Sequence, residues 1–436
     1  MPRLSTSLLL QAYNKSELLP LVLRGARTLE SASNELRWLR EHVQSFKSTS
    51  PDENRQRLLR LCQRRSRGEP LQYILGSQPF GELDIKCRPG VLIPRPETES
   101  YTTYLAHLAN SHKLISKVSK SNPDKRRFKE LSQSLRILDL CSGSGCISLL
   151  LYSLLSTKFP KLQIFGLDIS KQAVSLAKEN LALNVKAGHI PQSAIEDTPS
   201  HPPQVQFGIA DIFEKFPNNI GQFDIIISNP PYISRDEFNK QTTRSVRNYE
   251  PKLALVPGHK DQDVFYRRLI RLHQIHLSQV LVMEVGDAAQ AIRVAELAFE
   301  MNYTSYHRAP RVTNRVEIWR DDPGHHGAEE VRVMAGREIR IRGRGKIRTV
   351  VLFREETDKH PAHRVKLNRR VVERLDEPDV VQVSKELARS RGREATTARK
   401  ARKRVRLSKG EYERLRGQPR RTARQEPGGF GRSSWV

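Results

Sequence analysis

Arg136-Ile137-Leu138-Asp139-Leu140-Cys141-Ser142-Gly143-Ser144-Gly145-Cys146-Ile147-Ser148-Leu149-Leu150-Leu151 is the stretch on which the fold turns. Its first five residues read as a buried strand, the next five as a loop of small side chains, and the rest as the opening of a helix. Small residues let the backbone approach a ligand closely, and a helix N-terminus favours negative charge. The spacing is Gly-x-Gly only, without the third glycine of a pyrophosphate cradle. Asp139 at the strand end is ill placed for an anion. It suits a cationic ligand end, such as the sulfonium and ammonium of S-adenosylmethionine (SAM).

Working outward, Gln163-Ile164-Phe165-Gly166-Leu167-Asp168 reads as the next strand. It ends in an acid roughly 20–25 residues after the glycine loop, the spacing of a ribose-binding carboxylate. Asp168 can also start the helix that opens at Ser170-Lys171-Gln172-Ala173, and the two roles can coexist. A third strand, residues 205–210, runs into Asp211 and Ile212, an acid and an apolar wall suited to an adenine edge. The fourth, Phe223–Ile227, is closed by Ser228 and delivers Asn229-Pro230-Pro231-Tyr232. Two prolines stiffen that turn, remove two backbone donors and push residue 229 toward extended geometry. An Asn side chain, free carbonyls and an aromatic ring are then held at the carboxyl end of a strand, where ligands sit in open α/β sheets. The acceptors suit a planar NH2 group, and the ring suits its flat face. Alone, this motif reads as a proline turn packing a tyrosine; the glycine loop upstream changes the balance.

Residues 279–286, 315–320 and 347–353 are predicted as strands five to seven, with helices over 263–277 and about 288–300. A Gly-rich basic loop is expected between strands six and seven. Strands and helices alternate, so the class is α/β. Upstream, helical spacing of apolar residues over 5–66 predicts a small helical domain, interrupted near Ser48-Thr49-Ser50-Pro51-Asp52. Residues 69–100 break the pattern with Gly, Pro and alternation, a hairpin-like linker ending in Ile93-Pro94-Arg95-Pro96-Glu97-Thr98-Glu99. There Arg95 is expected to pair with Glu97 or Glu99, or to meet a substrate carbonyl. Residues 101–110 look helical, and 111–135 read as an exposed basic insertion.

The chain has 436 residues and a net charge of +27, unevenly spread. Residues 331–436 carry 31 Lys and Arg against 13 Asp and Glu. That excess suggests contact with RNA, ribosomes or an acidic surface, and after residue 355 the composition is that of a solvated disordered tail. Four scattered cysteines make a metal site or a disulfide framework unexpected. No apolar run approaches the roughly 20 residues of a membrane span. The N-terminus, short of acids until Glu17, is weakly transit-peptide-like.

Taken together, Pro70–Gly76, Val91–Glu99, Asp139–Gly145, Asn229–Tyr232, Tyr249-Glu250-Pro251 and Met283-Glu284-Val285-Gly286 resemble, in order, the HemK/PrmC family of protein glutamine N-methyltransferases. The resemblance covers about residues 20–355. It departs at Cys141, where bacterial members usually carry Gly, and in the insertion, the 321–345 loop and the tail. It implies a Rossmann-like, seven-stranded class I SAM-dependent methyltransferase. Residues 1–68 would recognise substrate, 69–100 link, 101–355 catalyse, and 356–436 form the tail. The implied substrate is the glutamine of the Gly-Gly-Gln loop of a class-1 release factor. Asp139, Cys141, Ser142, Gly143, Ser144, Gly145, Asp168, Asp211, Ile212 and Asn229 would face SAM. Arg95, Glu97, Asn229, Pro230, Pro231 and Tyr232 would face substrate, the last four catalytically and without metal. The extensions are of a eukaryotic kind, for which the mitochondrial member is expected, with the matrix as compartment and the cytoplasm as alternative. A monomer without membrane contact is expected. The competing class is an amino-directed RNA or DNA methyltransferase, since the same turn can hold an exocyclic base amine.

Overall fold

A computed structural model of the chain describes residues 4–46, 50–111, 133–198, 202–214, 221–240, 242–258, 261–301, 312–325, 329–334 and 337–356. The N-terminal pattern resolves into α1 (Thr6–Lys15), α2 (Leu19–Ala26), α3 (Leu29–Gln44) and α4 (Pro51–Ser66), followed by the short α5 (Leu71–Leu75). Three of their starts carry a hydroxyl cap. Ser5, Thr28 and Ser50 accept from the backbone N–H of Leu8, Ser31 and Glu53. Of Ser50 and Asp52, the two candidate starts in the 48–52 break, Ser50 begins α4, followed by Pro51 at the first helical position. The apolar faces meet in a core of their own around Val22, Leu23, Leu36, Leu39 and Cys62.

The hairpin β1 (Ser77–Phe80) and β2 (Leu83–Lys86) follows, then α6 (Pro96–Asn110). This helix starts before the predicted residue 101 because Pro96 supplies a preformed first turn, with Glu97 and Glu99 in it. The remaining strands are β3 (Ser134–Leu140), β4 (Lys161–Asp168), β5 (Val205–Ile209), β6 (Ile225–Ser228), β7 (Val280–Glu284), β8 (Val312–Asp322), β9 (Glu330–Met334), β10 (Arg337–Arg342) and β11 (Arg344–Glu356). All nine form one sheet in the order β5-β4-β3-β6-β7-β11-β8-β10-β9. The strands β5 to β7 run parallel, and β11 is antiparallel to both its neighbours. Between β3 and β6 the direction of winding reverses, the point at which open α/β sheets bind ligands.

The seven expected strands are all present, and the sheet extends two further. The stretch 321–345, predicted as a loop, contains β9 and β10. Ile339 and Ile341 alternate with Glu338, Arg340 and Arg342, and the two isoleucines are buried. The runs are short and flanked by Gly327, Gly336, Gly343 and Gly345, which masks this period of two. Most of the 111–135 insertion and nearly all of the tail lie outside the described residues. Among the described residues, no helix is long and apolar enough to cross a membrane.

Candidate active site

Strand register brings the site together. Leu140 pairs with Leu167 on one side and Ser228 on the other, Ser228 pairs with Met283, and Glu284 pairs with Thr349. Asp168, Cys141, Asn229 and Glu284 therefore stand in a row along one edge of the sheet, with Thr349 opposite Glu284 and Arg348 the next residue of β11. Successive strands are about 4.8 Å apart. Cys141 and Asn229 each follow directly on the last paired residues of adjacent strands, and Ser228 Oγ donates to the Leu140 carbonyl at 2.8 Å.

The loop after β3 is wound in the left-handed region, with φ of 61° at Cys141, 55° at Gly143 and 79° at Gly145. A side chain at residue 145 would strike the Phe207 ring at 2.8 Å and Ala177 Cβ at 2.9 Å, so the cradle needs glycine there. Asp168 receives Gly143 N–H at 2.9 Å on one oxygen and Ser170 N–H at 2.8 Å on the other. The helix Lys171–Lys186 is capped by Ser170 rather than by Asp168. Each Asp168 oxygen still has acceptor capacity for a hydroxyl. Asp139 is fully buried; Ser148 Oγ donates to its Oδ2 at 2.6 Å, and Oδ1 has no partner. Burial pushes its carboxyl up to about 7, opposed by the Ser148 hydrogen bond and aided by nearby Asp168. A charge so placed calls for a cation above it. Asp211 Oδ1 accepts from Phe213 N–H at 3.0 Å, and Ile212 is buried. A left-handed glycine loop, a buried carboxylate short of a partner and a strand-end acid all fit SAM.

On the other side of Asn229 lies a cavity of about 500 Å3, lined among others by Leu92, Arg95, Asn229, Tyr232, Val246 and Arg348. Pro230 and Pro231 are buried, outside that lining. The Asn229 Nδ2 donates to Thr98 Oγ1 at 3.4 Å, and Thr98 donates in turn to Glu284 Oε2 at 2.6 Å. Tyr232 donates to Glu284 Oε1 at 3.1 Å. Burial, reinforced by Glu284, drives the Tyr232 phenol well above its ordinary value, so it keeps its proton. The ring edge of Tyr232 leaves a Cβ at Gly286 only 3.1 Å. Gln290 Nε2 donates to the Tyr232 carbonyl at 3.2 Å while its Oε1 accepts Gly286 N–H at 2.9 Å. Strand β7 and the helix Ala288–Glu300 thus clamp the proline turn from behind.

Arg95 does not pair with Glu97 or Glu99. Its guanidinium meets both oxygens of Glu250, at 2.7 and 2.8 Å, and Glu250 also accepts Ile93 N–H at 3.3 Å. Pro94 and Pro96 hold Arg95 at the mouth of α6, whereas Glu97 lies one step along the first turn, 3.4 Å from Arg348. Arg348 is held by Asp321 as well, at 2.7 Å. The cavity wall therefore contains two arginines, each already neutralised. Thr98, Glu250, Glu284 and Arg348 had no role in the sequence reading. Of these, Glu284 carried a signal: it is the one acid in the otherwise apolar run Val280–Val285.

Comparison with known proteins gives two family models, the PrmC N-terminal domain over residues 21–76 and the Eco57I restriction-modification methylase over residues 162–268. The mitochondrial MRF1 N(5)-glutamine methyltransferase MTQ1 of Saccharomyces cerevisiae is 36% identical over 306 residues, which is 70% of this chain and 82% of that one. The release factor glutamine methyltransferase of Thermodesulfovibrio yellowstonii is 37% identical over 241 residues, 55% of this chain and 71% of that one. The chain belongs to the release factor glutamine methyltransferase family. Within the family frame, the PrmC N-terminal match falls on the segment from α2 to α5. The Eco57I match runs from β4 into the helix Val264–His276 and contains the Asn229–Tyr232 turn.

Proposed function

We propose that this enzyme uses SAM to methylate the side-chain amide nitrogen of the glutamine in the Gly-Gly-Gln loop of a class-1 release factor, a modification of translation termination. The observation that carries the reading is the strand register that seats the Cys141–Gly145 cradle beside Asn229, with a cavity of about 500 Å3 beyond. That volume admits a side-chain amide and its flanking backbone.

When bound, SAM supplies the activated methyl group. Asp168 would hold its ribose hydroxyls, Asp139 would face its cationic end through the loop, and Asp211 and Ile212 would border the adenine. An amide nitrogen is a poor nucleophile, because its lone pair is shared with the carbonyl. Asn229 Oδ1 and the Pro230 carbonyl would accept its two hydrogens, and the Tyr232 ring would pack on the amide plane. Positioning of this kind supplies a large part of the rate. As positive charge grows on the nitrogen, the two acceptors hold it better than the ground state. One of the two protons then passes to water. Arg95, held by Glu250, borders the entrance for the peptide backbone; Glu97 contributes by holding Arg348.

The test is labelled SAM with a release factor, its Gly-Gly-Ala variant and RNA. Label on the Gln form alone is expected. Label on RNA would favour the amino-directed nucleic-acid reading, which the relatives do not support. Asn229→Ala should lower turnover by about 100-fold or more while SAM binding survives.

The helical segment 1–68 would recognise the release factor body, and the basic tail would touch ribosome or RNA; the enzyme would act as a monomer in the mitochondrial matrix. The names of the yeast relatives support the compartment, and the charge excess after residue 330 supports the RNA contact. Fractionation of tagged protein, ribosome cosedimentation and gel filtration test them in turn.

A further inference from the structure

An asparagine side chain is nearly symmetrical in shape, with an acceptor on one arm and a donor on the other. Only one of its two orientations can receive the hydrogens of a substrate amide. The choice at Asn229 is made by two residues from distant parts of the chain. Thr98, on the first turn of α6, is 2% exposed, and its hydroxyl has one hydrogen to give. That hydrogen goes to Glu284 Oε2 at 2.6 Å, across 186 positions of sequence. The other Glu284 oxygen accepts the Tyr232 hydroxyl, so both carboxylate oxygens are engaged as acceptors. With its proton committed, Thr98 Oγ1 can only accept. The arm of Asn229 facing it must then be the NH2, as the 3.4 Å contact from Nδ2 has it. The carbonyl arm is left for the cavity side.

We propose that Thr98 and Glu284 form a polarity relay that fixes which way the Asn229 amide points, making Thr98 a positioning residue for methyl transfer. The proposal rests on the reading of Asn229 as the substrate acceptor given above. The same carboxylate holds Tyr232, so Glu284 sets both the acceptor and the ring that would cover the substrate amide. Without the relay, Thr98 could donate to Asn229 Oδ1 instead, and a donor would meet the substrate's own donors.

Thr98→Val keeps the shape and removes the hydroxyl. We expect kcat to fall by about tenfold, the orienting worth of one hydrogen bond. KM for the release factor and SAM affinity should stay close to wild type, Tm should fall by a few degrees because Glu284 Oε2 is left without its donor, and Thr98→Ser should restore kcat and Tm. Asn229→Ala is measured alongside. If Asn229→Ala abolishes transfer but Thr98→Val turns over at the wild-type rate, the relay is wrong and the acceptor assignment stands. If Asn229→Ala itself turns over normally, the acceptor assignment falls and the relay with it. If Thr98→Val lowers kcat and Thr98→Ser does not recover it, or if both binding affinities fall together with kcat in Thr98→Val, the residue is structural and the relay is overturned.

Discussion

Asp139 is a carboxyl group whose charge depends on what lies above it. Its folded value of about 7 stands well above the 3.8 of an ordinary aspartic acid, because burial disfavours the ionised form. The unfolded chain therefore gives up this proton first. Between about pH 4 and pH 7 each rise in pH weakens the unliganded fold through this group, and above 7 the loss is complete. A cation over the loop reverses the preference. SAM affinity should thus climb as pH passes through 7 and level off above it, and Asp139→Asn should flatten the profile; calorimetric titrations from pH 6 to 8 measure both. Cys141, at φ 61°, occupies a conformation that costs a side-chain-bearing residue about 1–2 kcal/mol. Cys141→Val adds a branched Cβ and should lower stability further, whereas Cys141→Gly should not; thermal melts decide. Asp139, Asp168 and Asn229 were legible in the sequence because each ends a recognisable strand. Thr98 and Glu284 were not, since their meaning is a hydrogen bond joining residues far apart in the chain. The partner of Arg95 was misread for the same reason: the eye pairs charges that are close in sequence, and Glu250 is 155 positions away.

At the scale of elements, the helix Lys171–Lys186 does something no helical periodicity announces. Asn180 and Asn184, one turn apart and fully buried, face β2 as if they were another strand. Asn184 Oδ1 accepts Asp84 N–H at 3.0 Å and its Nδ2 donates to the Asp84 carbonyl at 2.9 Å. Asn180 Oδ1 accepts Lys86 N–H at 2.8 Å, and its Nδ2 reaches the Ser144 carbonyl at 2.9 Å. One side chain therefore ties the hairpin to the cofactor loop. Asn180→Ala leaves two of these backbone groups without partners and should cost about 2–4 kcal/mol. Chemical denaturation should show this loss, and SAM affinity should drop with it, which Asn184→Ala should not cause. The start at Ser50 was legible because its hydroxyl cap is local and Pro51 follows it; the caps at Ser5 and Thr28 lay inside one continuous helical pattern and were not read. Strands β9 and β10 were missed although both alternate, because each run is short and Gly327, Gly336, Gly343 and Gly345 flank them, so the whole stretch read as a loop.

For the whole molecule, every residue assigned to the site precedes residue 355. A chain ending at residue 356 should methylate a release factor in vitro at the full rate. If the tail serves the ribosome, the same truncation should abolish salt-sensitive cosedimentation. The class of the fold was legible because strand, loop and helix alternate with turn chemistry at each junction. The order of the strands was not, since pairing is written in no local pattern. That order has a consequence for how such an enzyme can change length. Side chains in a strand face alternate sides, so one residue gained or lost within β3 or β6 would turn every later side chain of that strand to the opposite side. Asn229 would then leave Cys141, and no point substitution could bring it back. Growth is harmless at the joints: residues added before β3, between β8 and β9, or after β11 leave the register of β3 and β6 untouched. The enzyme is free to lengthen everywhere except between the marks of its own ruler.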